Sequence, residues 1–163
     1  MVIAIAILQT ISMVSVVQPA AFAEKIEGDE GPNTLVGTPG NDNIDSKGGN
    51  DRNLGDAVIG DGSGDDKINS GEGSDTNSGD TLVGDGSGDD KINSGKGDDV
   101  NFGDTDPAFG TGSGDDKINA GQGDDQLTGN GGADKFQCGK GEDTVTDFNE
   151  EEGDKATGNC ENI

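Results

Sequence analysis

Large apolar residues recur in this chain two positions after an aspartate. Ile44, Ile68, Ile92 and Ile118 follow Asp42, Asp66, Asp90 and Asp116 in this way. From Asp116 onward the interval is strict: Asp116, Asp125, Asp134 and Asp143 lie nine apart, and Ile118, Leu127, Phe136 and Val145 come two after each. The surrounding residues are mostly glycine and small polar groups. The phrase Gly-Ser-Gly-Asp-Asp-Lys-Ile-Asn stands at 62–69, 86–93 and 112–119, with spacings of 24 and 26, and a degenerate copy, Gly37-Thr-Pro-Gly-Asn-Asp-Asn-Ile44, precedes them. A fixed period of this size predicts a stacked solenoid. In each unit glycine permits a tight turn at positive φ, the aspartate offers a carboxylate, and the apolar residue points into a core.

A second turn follows the first by nine residues and carries Asp51, Asp75, Asp99 and Asp125. Its inward position is Asn at 53, 77 and 101. These amides either stack as a ladder along the solenoid or face water. A third element separates the paired nonapeptides, Leu54-Gly-Asp-Ala-Val-Ile-Gly-Asp61 and Ser78-Gly-Asp-Thr-Leu-Val-Gly-Asp85. Its next copy, 102–110, has two extra residues and Pro107, which predicts a protruding loop around Asp106, Pro107 and Phe109.

The ends differ from the middle. Residues 2–17 are an apolar run, closed by Pro19 and the small-residue site Ala21-Phe-Ala23, which reads as a signal peptide over 1–23 cleaved after Ala23. No Lys or Arg precedes the run. A retained anchor is the rival reading, but the run is shorter than the ~20 residues of a span. After cleavage no membrane span is expected. Residues 24–36 form a lead-in, 37–148 the repeat domain, and 149–163 an acidic tail that holds Asp154 outside the repeats.

Composition narrows the chemistry. The 163 residues include 31 Gly, 34 Asp and Glu against 10 Lys and Arg, and no His, Trp or Tyr, for a net charge of −24. Such a chain repels nucleic acid and attracts cations. Without His there is no Ser-His-Asp triad, Cys-His pair or His-Glu-x-x-His zinc site, so no enzyme is expected.

Gly71-Glu-Gly-Ser-Asp75, Gly95-Lys-Gly-Asp-Asp99, Gly121-Gln-Gly-Asp-Asp125 and Gly139-Lys-Gly-Glu-Asp143 resemble the repeats of the repeats-in-toxin (RTX) calcium-binding family. Gly131-Gly-Ala-Asp-Lys-Phe136 and Asp143-Thr-Val-Thr-Asp-Phe148 look like its closing segment, so the resemblance covers about 37–148. It implies an all-β fold, a right-handed parallel β-roll or β-solenoid in which two nonapeptides make one coil. It further implies that each turn binds Ca2+ through the aspartate and backbone carbonyls, here those of Gly64, Gly73, Gly88, Gly97, Gly114 and Gly123, with ions shared between coils. The family coil has 18 residues whereas the middle coils here have 24, so a six-residue excursion must be fitted in.

Stacking equivalent residues gives two carboxylate rows: Asp42, Asp66, Asp90, Asp116 and Asp134, and Asp51, Asp75, Asp99, Asp125 and Asp143. Strands in a sheet lie about 4.8 Å apart, where two carboxylates repel by roughly 3 kcal/mol at an effective dielectric near 20. A divalent cation between them reverses the sign. Oxygen-only, flexible donor sets favour several calcium ions over magnesium, zinc or copper. An EF-hand starting at Asp61 is a poor reading, because Asp66 stands where its glycine belongs and no helical stretch flanks it.

Cys138 and Cys160 are expected to form a disulfide tying the tail to the last coil, with free thiols or an intermolecular bridge as alternatives. The resulting expectation is a secreted or cell-surface calcium-binding structural or adhesive module, with a surface or matrix partner. An extracellular calcium buffer or sensor is the alternative. The repeat part of an enzyme or toxin is a weaker one.

Overall fold

The computed structural model describes residues 23–163 apart from Val58, Asp61 and Phe109, so the leader read at 1–23 lies outside the described residues but for Ala23. Among the described residues there are strands and no helix. They are β1 (Lys25–Glu27), β2 (Thr34–Val36), β3 (Asn43–Asp45), β4 (Arg52–Leu54), β5 (Lys67–Glu72), β6 (Thr76–Ser78), β7 (Lys91–Lys96), β8 (Val100–Phe102), β9 (Lys117–Gln122), β10 (Gln126–Thr128), β11 (Lys135–Lys140), β12 (Asp143–Val145), β13 (Lys155–Thr157) and β14 (Cys160–Asn162). The odd strands form one seven-stranded parallel sheet in chain order and the even strands a second. Each coil therefore contributes one strand to each sheet, the arrangement of a parallel β-roll.

The register follows the sequence pattern. Ile26, Ile44, Ile68, Ile92, Ile118, Phe136 and Ala156 stack in one inward row. Leu35, Asn53, Asn77, Asn101, Leu127 and Val145 form the facing row. The asparagines take the ladder alternative: Asn53 Nδ2 donates to Asn77 Oδ1 and Asn77 Nδ2 to Asn101 Oδ1, each at 2.9 Å, with all three fully buried. Buried serines serve the same ladder from the opposite sheet. Ser70 Oγ donates to Asn77 Oδ1 at 2.7 Å, Ser94 Oγ to Asn101 Oδ1 at 2.6 Å, and Asn53 Nδ2 reaches Ser46 Oγ at 2.9 Å.

The 24-residue coils keep the nonapeptide spacing on one edge and extend it on the other. The crossing from the odd to the even sheet keeps a nine-residue step between inward residues, from Ile44 to Asn53, Ile68 to Asn77, Ile92 to Asn101, Ile118 to Leu127 and Phe136 to Val145. The return from even to odd takes six residues after β2 and β10 but twelve or more after β4, β6 and β8. These longer returns stack on one another: Ile59 bridges Val83 and Gly86 bridges Gly112, both in parallel. In the longest return Pro107 and Ala108 are exposed.

Glycine works differently in the two turns. Gly71 and Gly73 adopt φ of 100° and 126°, as expected of a tight turn. Gly64 and Gly88 do not adopt positive φ, so the expectation fails for them. They are needed for close approach instead: a Cβ on Gly64 would come within 2.8 Å of the Gly40 carbonyl carbon.

Strand pairing also runs beyond 37–148. β1 and β2 pair with the first repeat, and β13 and β14 with the last. Cys138 and Cys160 are joined by a disulfide with a Cα–Cα distance of 5.4 Å, linking β11 to β14 and hence one sheet to the other.

Candidate metal centre

Each aspartate of the two rows sits where a turn enters a strand, and its carbonyl and carboxylate serve the neighbouring coil in different ways. Asp42, Asp66, Asp90, Asp116 and Asp134 accept the N–H of Lys67, Lys91, Lys117, Lys135 and Lys155 on their carbonyls at 2.8–2.9 Å, which continues the sheet. Their carboxylates form a parallel chain. Asp42 N donates to Asp66 Oδ1 at 2.6 Å, Asp66 N to Asp90 Oδ1 at 2.7 Å, Asp90 N to Asp116 Oδ1 at 2.8 Å, and Asp116 N to Asp134 Oδ1 at 2.9 Å. The second row repeats this through Asp51, Asp75, Asp99, Asp125 and Asp143 at 2.8–3.0 Å.

Both rows extend past the repeats. Asp134 N donates to Asp154 Oδ1 at 2.9 Å, so Asp154 stands in the first row and not in a tail outside it. The 20-residue step from Asp134 conceals this in the sequence. Asp143 N donates to Glu161 Oε2 at 2.8 Å, which closes the second row with a glutamate.

The remaining oxygens lack partners. The ten row carboxylates are all buried. Oδ2 meets no hydrogen-bond donor in Asp51, Asp66, Asp75, Asp90, Asp99, Asp116, Asp125, Asp134 and Asp143. Asp42 is the exception, because Thr38 N and Oγ1 both reach its Oδ2, the latter at 3.0 Å. Burial pushes the carboxyls up: Asp66 and Asp116 to about 8, Asp90 to about 10, Asp99 to about 7, and Asp75, Asp125 and Asp134 to about 6. A buried anion that gives one oxygen to an amide and holds the other unpaired carries a large desolvation cost.

The carbonyls of Gly64, Gly73, Gly88, Gly97, Gly114 and Gly123 point along the stack toward the glycine one coil on. A Cβ on Gly88, Gly97, Gly114, Gly123, Gly132 or Gly141 would fall 1.7–2.1 Å from them. They abut the next coil's glycine so closely that no larger residue fits there.

A third row was not legible as a site from the repeats. Asp56, Asp80 and Asp104, one in each long return, are fully buried, and their oxygens meet no donor in full hydrogen-bond geometry, the Ser63 N–H coming nearest to Asp56. Their spacing of 24 residues was the available signal. It was hidden because the returns read as excursions from the repeat.

The donor chemistry fits calcium. The free donors are oxygens, the chain has no His, and both cysteines are held in the disulfide. The partnerless Oδ2 atoms are the groups such a cation would satisfy. A family model described as RTX calcium-binding nonapeptide repeat matches the chain in four copies, over residues 21–52, 58–76, 76–106 and 110–145. Neither the curated proteins nor the solved structures compared with the chain gave a match.

Proposed function

The chain belongs to the RTX calcium-binding nonapeptide-repeat family, and on that premise we propose that it is an exported structural module that calcium folds and stiffens. It is a calcium-binding β-roll; the proposal concerns which residues hold the ions and what the roll is for. Asp66, Asp90, Asp116 and Asp134 hold ions along one edge, with Asp42, whose oxygens already accept from Glu24 and Thr38, at the end of that row, and Asp51, Asp75, Asp99, Asp125 and Asp143 hold ions along the other, completed by the glycine carbonyls. The observation that carries this reading is the set of buried carboxylates whose Oδ2 lacks any partner. The rows run through all the coils, so one ion's loss weakens two coils, and binding is cooperative, as in nearest-neighbour repeat arrays.

A rigid roll at extracellular calcium, around 10⁻⁴–10⁻³ M for such modules, suits a cell-surface or matrix role with an adhesive partner. The leader at 1–23 supports export. The alternative, an extracellular buffer or sensor, uses the same folding transition without a partner. The test is to express the full chain and fractionate the culture. A mature chain beginning at Glu24, retained on the surface in calcium and released by chelator, is expected. A mature chain free in the medium at every calcium concentration favours the buffer. A chain retaining residues 1–23 inside the cell refutes export.

A further inference from the structure

The long returns carry their own cation chemistry. Asp56, Asp66 and Asp80 bring one carboxylate oxygen each to within 4.8 Å of one another, and Asp80, Asp90 and Asp104 do the same one coil on. Oxygens no more than 4.8 Å apart lie at most about 2.8 Å from a common centre, close to the 2.3–2.6 Å of a calcium–oxygen bond. Small relaxation closes the difference. The carboxylates come from two elements: Asp56, Asp80 and Asp104 from the start of the returns, Asp66 and Asp90 from their ends.

Three observations separate these clusters from ordinary acidic surface. Asp56, Asp80 and Asp104 are fully inaccessible, and their carboxylates face one another with no donor in full hydrogen-bond geometry, the Ser63 N–H coming nearest to Asp56. The Oδ2 atoms of Asp66 and Asp90, also buried and partnerless, face the same space: a Cβ on Gly55 or Gly79 would fall 2.1 Å from them. Gly62 and Gly86 close the other side, where a Cβ would come 2.3 Å from Oδ2 of Asp56 and Asp80. In the short return after β2 a threonine, Thr38, takes the position corresponding to Asp56 and satisfies Asp42 Oδ2 directly. The aspartate occurs in the three long returns, where Oδ2 has no such donor, whereas the short return after β10 has Asn130 at this position and leaves Asp134 Oδ2 without a donor too.

We propose that the long returns build two additional divalent-cation sites of calcium type, one held by Asp56, Asp66 and Asp80 and the other by Asp80, Asp90 and Asp104, with Asp80 shared between them. Two such ions set four positive charges against five carboxylates. They bind the returns to one another and give the 24-residue coils a third line of cations, with the single free oxygen of Asp66 and of Asp90 bridging each return ion to the first turn row. The inference shares Asp66 and Asp90 with the reading above and rests on calcium being the roll's ligand, but its distinguishing residues lie outside the nonapeptide turns.

The test is a count of bound calcium by elemental analysis. The full mature chain is dialysed to equilibrium at a free calcium just above that saturating the unmodified protein. Asp80→Asn is expected to lose two ions and Asp104→Asn one, while Asp99→Asn, which belongs to the second turn row alone, reports on the turn sites. Scattering from the same samples establishes that each variant remains compact. Counts unchanged by Asp80→Asn and Asp104→Asn while Asp99→Asn loses calcium overturn the third line and leave the turn rows standing. A chain that binds no calcium in any form overturns both. If Asp80→Asn fails to fold, Asp104→Asn decides alone: an unchanged count overturns the proposal and a loss of one ion supports it.

Discussion

Ser94 Oγ donates a 2.6 Å hydrogen bond to Asn101 Oδ1 across the interior of the roll, and both residues are fully buried. One coil on, the corresponding residues are Ala120 and Leu127, and after that Cys138 and Val145. Polar faces polar, and apolar faces apolar, so the two sheets change character together. The asparagine ladder ends where this change occurs. Asn101, whose in-register neighbour is Leu127, has no partner for Nδ2, and Asn53, whose neighbour is Leu35, has none for Oδ1.

This pairing predicts non-additive mutations. Asn101→Leu leaves the Ser94 hydroxyl and Asn77 Nδ2 buried without partners, and each such group costs about 1–3 kcal/mol. Ser94→Ala alone loses one hydrogen bond, about 1 kcal/mol. Made together, they recreate the Ala120 and Leu127 arrangement. The double variant is expected to exceed Asn101→Leu in stability by about 1–2 kcal/mol in urea unfolding at saturating calcium. Strictly additive losses contradict the pairing.

Acid replaces calcium in part. Burial in the fold holds Asp66 and Asp116 at about 8 and Asp90 at about 10, and pushes Asp104 well above the usual carboxylate range. In the unfolded chain an aspartate titrates near 3.9. Between these values the folded state binds more protons than the unfolded one, so metal-free stability falls as pH rises from about 4 toward 10. A calcium-free sample taken from pH 8 to about 5 is expected to gain parallel-sheet circular dichroism reversibly, without sedimenting aggregate. A signal unchanged over this range contradicts the burial of the rows.

The Cys138–Cys160 bond closes a 22-residue separation, which constrains the unfolded chain by about 3 kcal/mol. Cys138→Ala places at this position the residue that Ala120 supplies one coil earlier, so the core is kept and the cross-link is lost. Hydrogen exchange at Lys155, whose N–H donates to Asp134 O at 2.8 Å, is expected to accelerate, while Lys91 and Lys117 stay protected. Equal acceleration at all three contradicts a local role for the bond.

The period of Ile44, Ile68, Ile92 and Ile118 and its companion aspartates was sufficient to give the solenoid, the two carboxylate rows and their register. The Asn53, Asn77 and Asn101 ladder was one of two open readings, because sequence does not reveal that Ser46, Ser70 and Ser94 stand across the core to bond it. The outermost coils were lost for a different reason. Asp154 comes after a 20-residue step and Glu161 changes residue type, and both break the nonapeptide phrase while keeping its hydrogen bond. Asp56, Asp80 and Asp104 were overlooked because their role depends on how the long returns fold back, which no spacing within the turns encodes.

Calcium is expected to make this fold. A net charge of −24 and 31 glycines oppose compaction, and the buried carboxylates in register resist it further. The most direct measurement is a calcium titration of the mature chain at fixed ionic strength, followed by circular dichroism and small-angle scattering together. An expanded, signal-poor chain in chelator at pH 7.5 is expected to become β-rich and compact in one cooperative transition near 10⁻⁴–10⁻³ M calcium, with magnesium at equal concentration leaving it expanded. A chain already compact and β-rich in excess chelator, or one that calcium leaves unchanged, contradicts the account.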